Sequence, residues 1–287
     1  MVIAYRSRES ASDVVFDGLK SAVARIGNNL AARSRVTRNF ALSRIKTKKL
    51  PPILINTMQK SGSIYLTRTI ATSLGIEYSL VSLASGIFPS YCMMPAAFKR
   101  FRRGSIVRQE HFDASHFNLE ICARYVDRIV LHLRDPRQST LSWTHHFNRY
   151  RDIHPGSTVG TVHRPPEDFC RWPFERQLDW HIDHHLVSQV MWLRRWMQVE
   201  QEAPFQILRT RYEELLNNER ALFDRILAFY DIPAGGIAMR TPEKTIEYHY
   251  RCGRSDEWKE VFTSGQKRRS RTIIGNDILE HFGWDTD

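Results

Sequence analysis

The sequence predicts an α/β fold: a single domain with a central parallel sheet flanked by helices. Three observations carry this. Four short apolar runs, residues 53–56, 105–108, 129–133 and 205–208, are each bounded by polar or proline-containing turns and read as buried strands. Helical patterns lie between them, among them residues 66–74, 118–125 and 185–202. Strands that alternate with helices pair in parallel, and a parallel sheet is covered on both faces. Finally, the first and third runs each pass directly into a polar turn and a helix start, and ligands of such sheets sit at the carboxyl ends of the strands. The 287 residues and 42% hydrophobic content are enough for one large domain or two smaller ones.

Residues 1–49 stand apart from this pattern. They hold eleven Lys or Arg against Glu9, Asp13 and Asp17, and so most of the +11 net charge. The remainder is nearly balanced, so the basic composition does not argue for nucleic-acid binding. Val15, Leu19, Ala22, Ile26 and Leu30 recur at helical spacing, and a basic run from Arg33 to Lys49 follows. The expectation is a basic N-terminal arm with an amphipathic helix packed on the domain, residues 1–49, ended by Pro51-Pro52. The sharper alternative is a helix in peripheral contact with a membrane surface or a partner. No run approaches the roughly 18 apolar residues of a membrane helix, and no secretory leader is expected from a start containing Arg6, Arg8 and Glu9. The widely spaced Cys92, Cys122, Cys170 and Cys252 form no zinc pattern and suit a reducing, cytoplasmic setting.

The first strand leads into Gln59-Lys60-Ser61-Gly62-Ser63-Ile64-Tyr65. A strand, a Lys-Ser-Gly-Ser turn and a helix start build an anion site. Unpaired N–H groups and the helix dipole favour negative charge there. Gly62 permits close backbone approach, Lys60 adds a point charge, and Ser61 and Ser63 add hydroxyl donors. A Walker loop would need a glycine at Gln59 and another at Leu54, so a triphosphate-wrapping loop is excluded. A short loop of this kind cradles one phosphate-like group.

The strand at 129–133 leads into Arg134-Asp135-Pro136, with Pro136 where a first helical turn tolerates it. Ser142 lies eight residues after Arg134. Both can lie on one side of the helix and clasp a second phosphate. Residues 151–180, with Pro155, Gly156, Gly160 and Pro165-Pro166, are irregular enough to be a functional lid.

Together these residues resemble the sulfotransferases that use 3'-phosphoadenosine 5'-phosphosulfate (PAPS). Gln59 to Tyr65 matches the family's Pro-Lys-Ser-Gly-Thr-Thr-Trp signature. Arg134, Asp135, Pro136 and Ser142 match its second, and the Arg211-Tyr212-Glu213-Glu214-Leu215 segment matches its Arg-Tyr-Glu-Asp-Leu. Arg251-Cys252-Gly253, with Trp258-Lys259 after it, matches the Arg-Lys-Gly and Asp-Trp-Lys segment. The resemblance covers roughly residues 50 to 285. It implies a P-loop-like topology and a sulfotransferase domain at 50–287, with the acceptor lid at 151–180. It also implies PAPS as donor, with 3'-phosphoadenosine 5'-phosphate (PAP) as product. The nucleotide would be held by Lys60, Ser61, Gly62, Ser63, Ile64, Tyr65, Arg134, Ser142, Tyr212, Arg251, Cys252 and Gly253. Three departures weaken those contacts without changing the reaction class. Ile64 lacks the second threonine's hydroxyl, Tyr65 offers less stacking area than Trp, and Cys252 removes a lysine charge near the 3'-phosphate.

Sulfuryl transfer needs in-line positioning and neutralisation of the leaving phosphate, which cationic side chains and N–H donors supply without a metal. Lys60 is the residue for the bridging oxygen. The acceptor's proton needs a base. The family places a histidine just after the second apolar run; here that position falls on Glu110 without a shift and on His111 with a one-residue shift. His111 is favoured because an imidazole titrates near neutrality. Neither His145-His146 nor His181, Asp183, His184 and His185 has metal spacing, so no metal is expected. Trp192 and Trp196, four apart, read as helix packing. A small-molecule acceptor is expected, in a pocket of Glu110, Asp113, Trp143, His145, Trp172 and Trp180; these acidic and aromatic residues suit a cationic molecule. A glycan or lipid acceptor, a P-loop-type kinase and a basic nucleic-acid-binding protein are the competing readings.

Overall fold

The structure is a computed structural model that describes residues 49–79, 82–153, 163–242 and 253–286, all within the unit Lys49–Asp287. The arm expected at residues 1–49 lies outside the described residues except for Lys49, as do Arg251 and Cys252.

A five-stranded parallel sheet forms the centre. Its order is β2 (Glu77–Tyr78), β5 (Ile106–Glu110), β1 (Ile53–Thr57), β6 (Arg128–Leu133) and β7 (Gln206–Arg211). β1 is buried along its whole length, as its apolar sequence requires. Alternation divides its side chains between two cores. Ile53 and Ile55 meet α1 (Ser63–Leu74) and α8 (Glu219–Phe229) through Leu66, Ile70, Phe223 and Ile226. Leu54 joins Leu131, Trp192 and Trp196 on the opposite face. The indole N–H groups of Trp192 and Trp196 both point to Phe112 O, so the four-residue spacing is packing, as expected. The chain leaves β1 for the edge strand β2, returns to β5 beside β1, and then crosses to β6 and β7, so the carboxyl end of β1 opens between β5 and β6.

Strand limits differ from the sequence reading for local reasons. Ser105 is in a turn, with φ of 52° and its N–H on Leu50 O, so β5 starts one residue later. It then continues through Gln109 and Glu110, paired with Ile55 and Asn56. β7 runs on to Arg211 because β6 pairs with it throughout. The short edge strand β2 and the antiparallel hairpin of β3 (Ala84–Ile87) and β4 (Ser90–Met93) have no apolar run that announces them.

The remaining helices are α2 (Pro95–Phe101), α3 (His116–Tyr125), α4 (Pro136–Ile153), α5 (Phe174–His181), α6 (Val187–Val199), α7 (Tyr212–Asn217), α9 (Trp258–Val261), α10 (Ser264–Ile274) and α11 (Asn276–Phe282). A π turn, Ile182–Leu186, joins α5 to α6. The irregular stretch expected at 151–180 is therefore shorter: α4 extends to Ile153, a 3₁₀ turn occupies Phe169–Arg171, and α5 begins at Phe174. Residues 154–162 lie outside the described residues.

Two fully buried histidines make the fold sensitive to acid. Burial lowers the pKa of His132 to about 4 and of His181 to about 3, against an ordinary 6.5. Both rings are neutral in the folded chain, whereas the unfolded chain protonates them below about pH 6.5. Their contribution is therefore complete above pH 6.5 and is lost as the pH falls toward the folded values. Between pH 6.5 and 5 each ring should cost about 2 kcal/mol of stability. Urea unfolding at the two pH values measures this, and His181→Gln should flatten the slope.

Candidate active site

Three segments meet at the carboxyl edge of β1. The first is the Gln59–Ser63 turn. Lys60 has φ of 60°, unusual for a residue with a side chain, and Gly62 has φ of 77°. A Cβ on Gly62 would lie 2.8 Å from the Tyr212 ring, so glycine is required by both conformation and space. Gly62 precedes α1, whose first turn has no side-chain cap and no acidic residue. Its leading N–H groups suit an anion.

The turn is tied at Gln59, Lys60 and Ser61. The Ser61 hydroxyl donates to Met58 O at 2.8 Å, so it braces the loop rather than pointing outward as a donor. His132 Nε2 donates to Ser61 O at 3.0 Å, and its Nδ1 accepts from the Thr210 hydroxyl at 2.9 Å. Ser139 on α4 donates to Gln59 O at 2.7 Å. Ser142, expected with Arg134 at a second phosphate, is half-buried further along the same helix, and Ser139 is the serine that reaches the turn.

The second segment is Arg134. Its guanidinium stacks 3.9 Å over the Tyr212 ring and donates to Lys60 O and Arg254 O, both at 2.6 Å. The predicted residues Lys60, Gly62, Arg134 and Tyr212 are thus brought together with the Gly253-Arg254 segment, Gly253 having φ of 69°. Asp135 accepts from Arg137 N at 2.8 Å and fixes the start of α4 at Pro136. Ile64 and Tyr65 follow on α1. Burial and Glu219 push the Tyr65 hydroxyl up to about 12, so its polar end faces α8.

The third segment is Glu110-His111. Glu110 is buried and fully engaged: its carboxylate accepts from Leu83 N and Arg108 Nε at 2.6 Å and from the Ser82 hydroxyl at 3.0 Å. Burial raises its pKa while Arg108 opposes the rise. His111 Nδ1 donates to Thr57 O at 2.7 Å. A carbonyl can only accept, so the neutral ring carries its proton on Nδ1 and has a lone pair on Nε2. Desolvation, with the nearby Arg108 charge, lowers its pKa despite the Thr57 bond.

The expected acceptor residues divide. Trp143 lies flat on His185, 4.9 Å between centroids, beside the Lys60 turn. His145 stacks on Phe174. Trp172 and Trp180 both pack on Phe169, and Trp172 also donates to Asp168. Asp113 is buried against Arg195 and accepts from Asn118 at 2.7 Å, which braces the start of α3. Sequence reasoning gave no role to His132, Ser139 and Thr140, and weighed His185 only as a metal ligand; only tertiary neighbours mark them. Among the described residues, no group of three or more His, Cys, Asp or Glu side chains is arranged to hold a metal, and no helix is long and apolar enough to cross a membrane.

The arrangement can therefore seat a phosphate-like group at a helix start, with a lysine and an arginine beside it and an imidazole lone pair on the next strand. The family model described as "Sulfotransferase domain" matches residues 50–252. The mouse sulfotransferase SULT7A1, solved with PAP, is similar in fold at 15% identity and a TM-score of 0.54, over 81% of this chain and 87% of that one. A sulfotransferase from Alicyclobacillus acidocaldarius is 14% identical with a TM-score of 0.48, over 82% of this chain and 96% of that one. No curated protein matches the chain in sequence. The family match spans β1, the Lys60 turn, Arg134 and Tyr212, and on it the chain is a member of the PAPS-dependent sulfotransferase family.

Proposed function

We propose that this enzyme moves a sulfuryl group from PAPS to a hydroxyl or amine of a small-molecule acceptor, with Lys60 at the leaving phosphate and His111 as base. PAPS supplies the activated sulfuryl group. The residues present fit such a donor: an uncapped helix start, a glycine cradle closed by Tyr212, and two cations. Lys60 and the N–H groups of α1 would hold the 5' end, and Arg134, with Ser142 and the Arg251–Gly253 segment, the 3'-phosphate. The observation that carries the base assignment is the His111 Nδ1–Thr57 O bond. It leaves Nε2 able to take a proton at the same sheet edge as Lys60. Glu110, held by Leu83, Ser82 and Arg108, is the weaker choice.

Thermal shift with nucleotides tests the donor assignment. PAP should raise the melting temperature well above the effect of AMP, which lacks the 3'-phosphate. Arg134→Ala should remove about 1.5–3 kcal/mol of PAP affinity and leave AMP affected less. Because Arg134 also braces Lys60 O, equal losses for both nucleotides would make it a brace alone and sink the 3'-phosphate assignment.

A further inference from the structure

A polar seam runs between α4 and the helix opposite. Asn148 donates to Gln177 at 2.5 Å, the Thr144 hydroxyl accepts from His181 Nδ1 at 3.0 Å, and the Thr140 hydroxyl meets His185 Nδ1 at 3.2 Å. The partners step by four on both helices. An α-helix turns about 400° in four residues, so each step drifts about 40° around the axis. The π turn at Ile182–Leu186 winds less per residue and takes back part of that drift. Gln177, His181 and His185 therefore stay over α4.

The first two rungs stay within the helix pair, but the third leaves it. His185 Nε2 lies 3.3 Å from Gln59 Oε1, on the residue before Lys60. An amide oxygen accepts, so Nε2 carries the proton and Nδ1 takes the Thr140 hydroxyl. Gln189 meets the same nitrogen at 3.1 Å; with the proton on Nε2 its amide turns its oxygen there, which gives the buried Gln189 Oε1 the partner it otherwise lacks. The ring lies within 6° of parallel to Trp143. A buried polar ring costs stability that an apolar side chain would not, unless its bonds serve another end. Here they secure a turn in which Lys60 holds a left-handed backbone that L-residues avoid and neighbours must impose. Gln59 is the residue held from both sides, by Ser139 at its carbonyl and by His185 at its side chain.

We propose that His185 is a positioning residue: through Gln59 it sets the Lys60 turn and so places Lys60 and the first N–H groups of α1 against the phosphosulfate end of the donor. This rests on the donor reading above. Burial, the neighbouring His181 and the Lys60 charge all keep the ring neutral, so it has one N–H for Gln59, keeps Nδ1 as an acceptor for Thr140 and adds no charge.

Two measurements on the full chain test it, the first without any nucleotide. Amide hydrogen exchange should be about tenfold faster at residues 59–63 in His185→Leu than in the parent, with β6 and α8 unchanged. Gln59→Ala, which leaves the buried histidine in place, should do the same. His185→Gln, which can still reach Gln59, should restore protection. Unchanged exchange in both His185→Leu and Gln59→Ala, or loss spread over the whole chain in both, overturns the proposal. The second measurement compares PAP with adenosine 3'-phosphate by calorimetry. The advantage of PAP isolates the 5' end, and it should shrink about threefold to tenfold in both variants and no further when they are combined. Independent, multiplying losses would mean that His185 does not act through Gln59. If the parent shows no preference for PAP, the donor reading fails, while the exchange result still decides the role of His185.

Discussion

His111→Ala is expected to lower transfer to an alcohol acceptor by about 10²–10⁴-fold and to leave PAP affinity nearly intact. The bond from Nδ1 to Thr57 O orients the ring, and Nε2 has the lone pair that would take the acceptor's proton. The lowered pKa keeps the ring neutral at pH 7, the form a base must have. The size of the loss should depend on the acceptor. An alcohol must be deprotonated as it attacks, whereas a phenol that is already ionised needs no base. A panel of acceptors ranked by acidity should therefore show a large fall for alcohols and a small one for ionised phenolates. A uniform fall would mean that the ring shapes the pocket and moves no proton. Glu110→Gln separates the two candidates. Its carboxylate ties Leu83 and Ser82 to Arg108, so this change should lower stability more than turnover. An inactive, well-folded Glu110→Gln beside an active His111→Ala would reverse the assignment.

What could be read in the chain beforehand follows from how local each signal is. The buried strands β1 and β6 are short apolar runs, and the turns after them hold Gly62 and Pro136 where the backbone needs them. Element order and the carboxyl-edge site were legible for that reason. β2 is two residues at a sheet edge, and the β3–β4 hairpin is held partly by Asn118, which accepts from Met93 N and donates to Tyr91 O. Those contacts come from distant sequence and leave no periodic trace. One missed element did announce itself. Thr263 and Gln266 form a reciprocal capping box at the start of α10, a spacing visible in the sequence. The histidines show the limit most clearly. His184 and His185 look equivalent in sequence, yet His184 stacks on Trp180 while His185 turns inward to Gln59, because the π turn sets which of them faces α4.

Lys60→Ala is the second large effect, expected at about 10²–10³-fold in turnover, the scale for removing one preorganised contact to developing charge. Negative charge grows on the leaving phosphate as the sulfuryl group departs, so the ammonium's attraction strengthens between bound donor and transition state. Affinity for PAP should fall by less than turnover does, and comparing the dissociation constant with kcat separates the two. The backbone requires a second control. Lys60 has a left-handed φ of 60°, which alanine tolerates no better and glycine adopts freely. Lys60→Gly should thus fold at least as well as Lys60→Ala and be equally slow, because both lack the charge. A Lys60→Gly enzyme that recovers most of the activity would show that the turn's geometry, not the ammonium, carries the effect. Lys60→Arg should recover only part: it restores the charge as a planar fork on a longer side chain, and Arg134 already donates to the carbonyl of the same residue. Losses of equal size in affinity and turnover would make Lys60 a binding residue alone, and charge stabilisation would then fall to the N–H groups at the start of α1.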